Sequence, residues 1–87
     1  MTRWHLETTP EFDKAARRLD KPMLRRIRDY LEDVTELENP RDRGKGLSAD
    51  RAGYWRYRIG DYRVIVEILD DQLVLVALDL GHRSEIY

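Results

Sequence analysis

The stretch YWRYRIGDYR, residues 54–63, places Arg56, Arg58 and Arg63 among aromatic residues on one short segment. A guanidinium is permanently charged, planar and forked, which suits it to phosphate oxygens more than to any other common ligand. Side chains on a strand alternate between its two faces, so Tyr54, Arg56 and Arg58 share one face while Trp55, Tyr57 and Ile59 share the other. If Gly60-Asp61 is a two-residue turn, Arg58 falls opposite Arg63, Arg56 opposite Ile65 and Tyr54 opposite Glu67. Like charges directly opposite on a sheet are destabilising. The arginines are therefore either neutralised by Asp42, Asp50, Asp61 or Glu67, or gathered to face a polyanion. The second reading carries chemistry: a preorganised phosphate site.

The bulk composition frames that reading. The chain has 87 residues, a formal net charge of −1, 41% hydrophobic and 38% charged residues, and no cysteine. That describes one globular domain, residues 1–87, with a modest core, and excludes disulfide and thiolate chemistry. His5 and His82 are far apart and give no zinc spacing, so neither a metal nor a cofactor is expected. The N-terminus lacks the apolar stretch of a signal peptide and no run approaches membrane-spanning length, so a cytoplasmic protein without membrane contact is expected. The near-neutral total conceals an uneven distribution. Arg41, Arg43, Lys45, Arg51, Arg56, Arg58 and Arg63 outnumber the acids of residues 41–63, whereas Glu67, Asp70, Asp71, Asp79 and Glu85 dominate the last part of the chain. A local positive field can serve a polyanion although the total is close to zero.

The elements that must hold the arginines are legible from periodicity. RWHLETT alternates as a first strand, with Trp4 and Leu6 on one face. Thr9, Pro10, Glu11 and Asp13 open a helix carrying Phe12, Ala15, Ala16 and Leu19 at helical spacing. Asp20 caps a second helix, whose apolar stripe is Met23, Leu24, Ile27, Tyr30, Leu31 and Val34. The helix bases Arg17, Arg18, Arg25, Arg26 and Arg28 read as a solvated face. Residues 38–53 form a turn-rich loop bearing Arg41, Arg43 and Lys45, which leads directly into the arginine hairpin and anchors through Leu47. The rest is β: YWRYRI, YRVIVEIL and QLVLVALDL, joined by tight turns at Gly60-Asp61 and Asp70-Asp71. The second turn places Val64 opposite Ala77, Val66 opposite Leu75 and Ile68 opposite Leu73. The expectation is an α+β domain of order β-α-α-β-β-β, with a helical hairpin on one face of a mostly antiparallel four-stranded sheet. Val74, Val76, Leu78 and Leu80 then lie on the arginine side, a second apolar face. Long arginine stems or a partner segment would cover it.

Two segments, GLSADRAGYWRYRIGDYRVIVEI and the ending GHRSEIY, resemble the RelE/ParE superfamily of toxins from type II toxin–antitoxin systems. The resemblance spans nearly the whole chain and implies a microbial-RNase-like fold. In the RelE branch it also implies cleavage of messenger RNA in the ribosomal A site, with the substrate's 2′-hydroxyl attacking the adjacent phosphate. It assigns Arg63 to the scissile phosphate, Arg56 to the position of a catalytic lysine, and Arg83 to support of transition-state charge. Tyr87 would stack on a base or assist proton transfer, while Arg43, Lys45, Arg58 and Tyr54 would contact RNA. Tyr54 stands where that branch has a further lysine, and Arg56 stays protonated, so the general base is open between His82 and Glu67. The resemblance further implies a RelB-like antitoxin, expected over Val74, Val76 and Leu78, with operator DNA reached only through that antitoxin. The ParE branch, which inhibits DNA gyrase without nuclease activity, is the alternative.

Overall fold

The computed structural model describes residues 3–48 and 52–82; Arg83 and Tyr87 lie outside the described residues. Strand β1 is His5–Thr8, followed by helix α1 at Pro10–Ala16 and helix α2 at Lys21–Thr35. Both helices start where their caps dictate. Thr9 Oγ1 accepts the Phe12 N–H at 3.1 Å, Asp20 Oδ1 accepts the Met23 N–H at 2.9 Å, and a proline occupies the first turn of each. Thr9 also donates its hydroxyl to the Leu78 carbonyl at 2.7 Å, tying the start of α1 to the last strand.

Among the described residues the sheet is mixed and has five strands, one more than the sequence indicates: β1, β2 (Lys45–Gly46), β3 (Trp55–Ile59), β4 (Tyr62–Leu69) and β5 (Val74–His82), in the spatial order β1-β5-β4-β3-β2. Strands β3, β4 and β5 form an antiparallel meander, and β1 lies parallel to β5. The added strand is β2, Lys45–Gly46, drawn from the segment expected to be loop. It forms because Gly44, at φ +79°, turns the chain against β3 more closely than a side chain would allow. A Cβ there would lie 2.3 Å from the Arg56 carbonyl oxygen and 2.7 Å from Trp55 Nε1. Trp55 Nε1 in turn donates to the Arg43 carbonyl at 2.6 Å, and the buried Tyr57 hydroxyl donates to the Pro40 carbonyl at 2.6 Å. Burial pushes the Tyr57 hydroxyl to a higher pKa, so it stays a donor throughout the physiological range.

The core lies between the helices and one sheet face. Phe12 and Ala16 of α1 and Ile27, Leu31 and Val34 of α2 meet Tyr57, Ile59, Val64, Val66, Leu75, Ala77 and Leu80. The helical stripe and the inward residues of β3 and β4 match the sequence periodicity.

The register of the second hairpin does not match. Asp70-Asp71 is not a two-residue turn: residues Asp70–Gln72 form a 3-10 turn that ends at Leu73 in the left-handed region, φ 55°. Leu69 therefore pairs with Val74, and Val66 meets Ala77 instead of Leu75. That slip amounts to two residues, which leaves every side chain on its expected face. A second irregularity has the opposite consequence. Ile65 pairs with Asp79 and Val66 with Ala77, leaving Leu78 as the extra residue of a β-bulge. One extra residue reverses the alternation beyond it. Leu80, expected on the arginine side, enters the core at 5% exposure, and Asp79 turns outward.

Arg41, the first of the three bases in that turn-rich segment, forms a two-bond ion pair with Asp70, both contacts at 2.9 Å. The hydrogen bonds from Arg41 hold the Asp70 carboxyl below the usual carboxylate range. Asp70 stays ionised above its unfolded-state pKa, so this surface link is present at neutral pH and is lost only as pH falls through its lowered folded value.

Candidate functional site

The sheet face turned away from the helices gathers the cations in two cross-strand rows. One row runs Lys45, Arg56, Ile65, Asp79 across β2, β3, β4 and β5; the next runs Arg58, Arg63, Gly81 across β3, β4 and β5. Two like-charged pairs, Lys45 with Arg56 and Arg58 with Arg63, thus stand directly opposite one another. The Arg58–Arg63 pairing and the Gly60-Asp61 turn agree with the sequence-based register. Lys45 joins the face through a strand the sequence did not disclose. Tyr54 precedes β3 and is 37% exposed; the ladder ends at the Trp55–Val66 pair, so Tyr54 is not matched with Glu67.

The three arginines differ in how firmly they are held. Arg58 is exposed, with a long 3.4 Å contact from its Nε to the Gly60 carbonyl. Arg56 is half-buried. Arg63 is half-buried too, and its Nε and Nη1 are sealed from solvent, leaving less rotational freedom to lose when a ligand arrives. Beside these rows, Tyr30, Gly44, Lys45, Arg56 and Arg58 line a recess of about 280 Å³. Arg43 lies on its helix side, with its Cζ 5.4 Å from the centre of the Tyr30 ring, a cation–π contact apart from the main arginine rows. Tyr30 was legible as a helix-stripe residue, and its place at a cationic recess was not. A larger recess of about 490 Å³, between β1 and the end of α2, is lined by Trp4, His5, Leu6, Glu32, Thr35 and Glu36. Its carboxylates make it unsuitable for a polyanion.

His82, expected beside the arginines, is placed elsewhere. It pairs with Tyr62, which packs against the core, and the two rings meet edge to face with centres 5.5 Å apart. The bulge that turned Leu80 inward carried His82 to the helix side with it. Glu67 stays on the arginine face but four residues along β4 from Arg63, about 13 Å at strand spacing. Val74 and Val76 lie on the arginine face as expected; Val74 is buried and Val76 half-buried. Leu78, in the bulge, is half-buried and does not join the core. Among the described residues, no group of three or more His, Cys, Asp or Glu side chains could hold a metal, and no helix is long and apolar enough to cross a membrane.

The sequence profile of the "ParE toxin of type II toxin-antitoxin system, parDE" matches residues 6–87. The chain belongs to this toxin family. The fold of this ParE-family toxin recurs in solved structures of RelE and ParE toxins. The toxin–antitoxin complex RelBE2 of Mycobacterium tuberculosis superposes with a TM-score of 0.85 at 24% identity, covering 98% of this chain and 97% of that one. The isolated RelE toxin of E. coli gives 0.75 at 19% identity, covering 97% and 90%. The YoeB/ParE toxin from Agrobacterium tumefaciens gives 0.69 at 21%, covering 90% and 96%. A sequence search of curated proteins finds no match. The chain is therefore a ParE-family toxin of a type II toxin–antitoxin system, and RelB-type antitoxins accompany several of the solved structures whose fold it shares.

Proposed function

We propose that this toxin is a ribonuclease that cleaves messenger RNA in the ribosomal A site and is neutralised by a RelB-like antitoxin. One observation carries the reading: Lys45 opposite Arg56, and Arg58 opposite Arg63, on a single sheet face. Like charges directly opposite on a sheet repel by roughly 0.2–1 kcal/mol before any neutralising contact is counted. A sequence under selection for stability alone replaces such pairs, whereas a site for a scissile phosphate needs them. In the proposed reaction the 2′-hydroxyl attacks the adjacent phosphorus, the P–O5′ bond breaks, and the products end in a cyclic phosphate and a 5′-hydroxyl. Arg63 anchors the phosphate, Arg56 neutralises the charge that builds on the pentavalent phosphorane, and Arg58 and Lys45 hold flanking phosphates. Arg83 and Tyr87 complete the site by family resemblance. The antitoxin occupies the Val74, Val76 and Leu78 side of the same face.

The ParE profile keeps gyrase as the competing target, and one experiment separates the two. Antitoxin-depleted toxin is added to a reconstituted translation reaction, and 5′ ends on the message are mapped by primer extension. The expected result is new ends within codons that require ribosomes and disappear in Arg63→Ala. An intact message, with DNA supercoiling by gyrase blocked in a parallel reaction, transfers the protein to the gyrase reading.

A further inference from the structure

We propose that Asp79 is the general base of this toxin, an inference that rests on the ribonuclease reading above. Among the described residues, the acid–base groups expected from the sequence do not reach the arginine rows. Guanidinium groups stay protonated, His82 lies on the helix side against Tyr62, and Glu67 is four residues along β4 from Arg63. The bulge at Leu78 supplies a proton acceptor. It turns Asp79 out of the alternation that places Leu75 and Ala77 in the core, and sets it in the same row as Lys45 and Arg56.

Arg63 pairs with Gly81, so Asp79 is its diagonal neighbour on β5, at a separation of about 7–8 Å on an antiparallel pair. A phosphodiester held by Arg63, with its 2′-hydroxyl directed toward β5, spans that distance. Gly81 places no side chain between them. Asp79 is exposed, its Oδ1 accepts the Leu80 N–H at 2.8 Å, and it forms no ion pair among the described residues. The backbone bond fixes the carboxylate and leaves Oδ2 to work. In the step, Asp79 takes the proton of the 2′-hydroxyl, the 2′-oxygen bonds to phosphorus, the P–O5′ bond breaks, and the leaving 5′-oxygen takes a proton from water.

Asp79→Asn tests this directly, because the amide oxygen preserves the acceptor for Leu80 while removing the base. With the ribosome-programmed message as substrate, Asp79→Asn is expected to cleave about 100-fold or more slowly. Its affinity for a non-cleavable 2′-O-methyl oligonucleotide should be equal or higher, since a negative charge has left the cationic face. Its cleavage rate should rise about tenfold per pH unit across the neutral range, more steeply than the parent's, as hydroxide replaces the lost base. Asp61→Asn, in the turn beyond the Ile59–Tyr62 pair, serves as the comparison carboxylate and should keep the parental rate. An Asp79→Asn rate within about threefold of the parent overturns the proposal while leaving the ribonuclease reading intact. So does a loss of rate matched by equal losses of RNA affinity or melting temperature. A parent protein that leaves the message whole overturns both.

Discussion

Arg58 and Arg63 stand opposite one another on adjacent strands, yet their surroundings differ. Arg63 has guanidinium nitrogens sealed from solvent, and Arg58 is exposed. Arg58 is therefore the residue at which stability and function separate most cleanly. Arg58→Thr removes one member of a repulsive pair and installs a good strand former, so it should raise stability by about 0.2–1 kcal/mol. For a domain of this size that corresponds to a melting temperature higher by about 1 to 8 °C. The same change should weaken binding of a 2′-O-methyl RNA. Thermal melting and an RNA titration on one preparation check both; a melting temperature that falls means Arg58 supports the fold instead of opposing it. This pairing was legible in the sequence because the turn at Gly60-Asp61 is short and its geometry fixes the register.

Strand β2 is two residues long, but it sets Lys45 against Arg56 and closes the recess beside Tyr30. Its formation depends on Gly44. Gly44→Ala imposes a side chain at φ +79° and drives a Cβ into the Arg56 carbonyl and the Trp55 indole. The backbone strain and overpacking together should cost roughly 2–4 kcal/mol. Chemical denaturation measures that cost. The weakened RNA affinity expected from losing Lys45 should appear even at temperatures where the variant remains folded. The Leu78 bulge acts at the same scale, since one unpaired residue decides which face of β5 carries Asp79 and which carries His82.

Over the whole molecule the formal charge is −1, so on the proposed ribonuclease reading long-range attraction to RNA is weak and recognition depends on the local face. Four cations, Lys45, Arg56, Arg58 and Arg63, lie on its described part. For single-stranded RNA the slope of log affinity against log salt is about −0.7 per phosphate contact, which gives about −3 from these four cations and about −3.5 with Arg83. A titration of the 2′-O-methyl oligonucleotide at several salt concentrations measures it. A slope near −6 would place major contacts outside this face. On the ribonuclease reading proposed above, so shallow a dependence fits delivery by the shape of the ribosome and not by bulk charge.

The two capped helices, the apolar stripe of Ile27, Leu31 and Val34, and the arginine hairpin with its register were legible in the residue order alone. These are local properties, set by caps, short turns and periodicity, and they need no knowledge of distant neighbours. Tertiary structure decided what depends on distant partners. Lys45 became a strand residue because Gly44 lets the chain approach β3. The Arg41–Asp70 bond, between residues 29 apart in sequence, commits one cation of the turn-rich segment to an ion pair. The Leu78 bulge turned Asp79 toward the arginines and Leu80 and His82 away from them. A trace of the last was present in VLVALDLGH, where strict alternation would bury an aspartate among core residues. Burying that charge without a partner is far costlier than one unpaired strand residue, and the chain adopts the bulge.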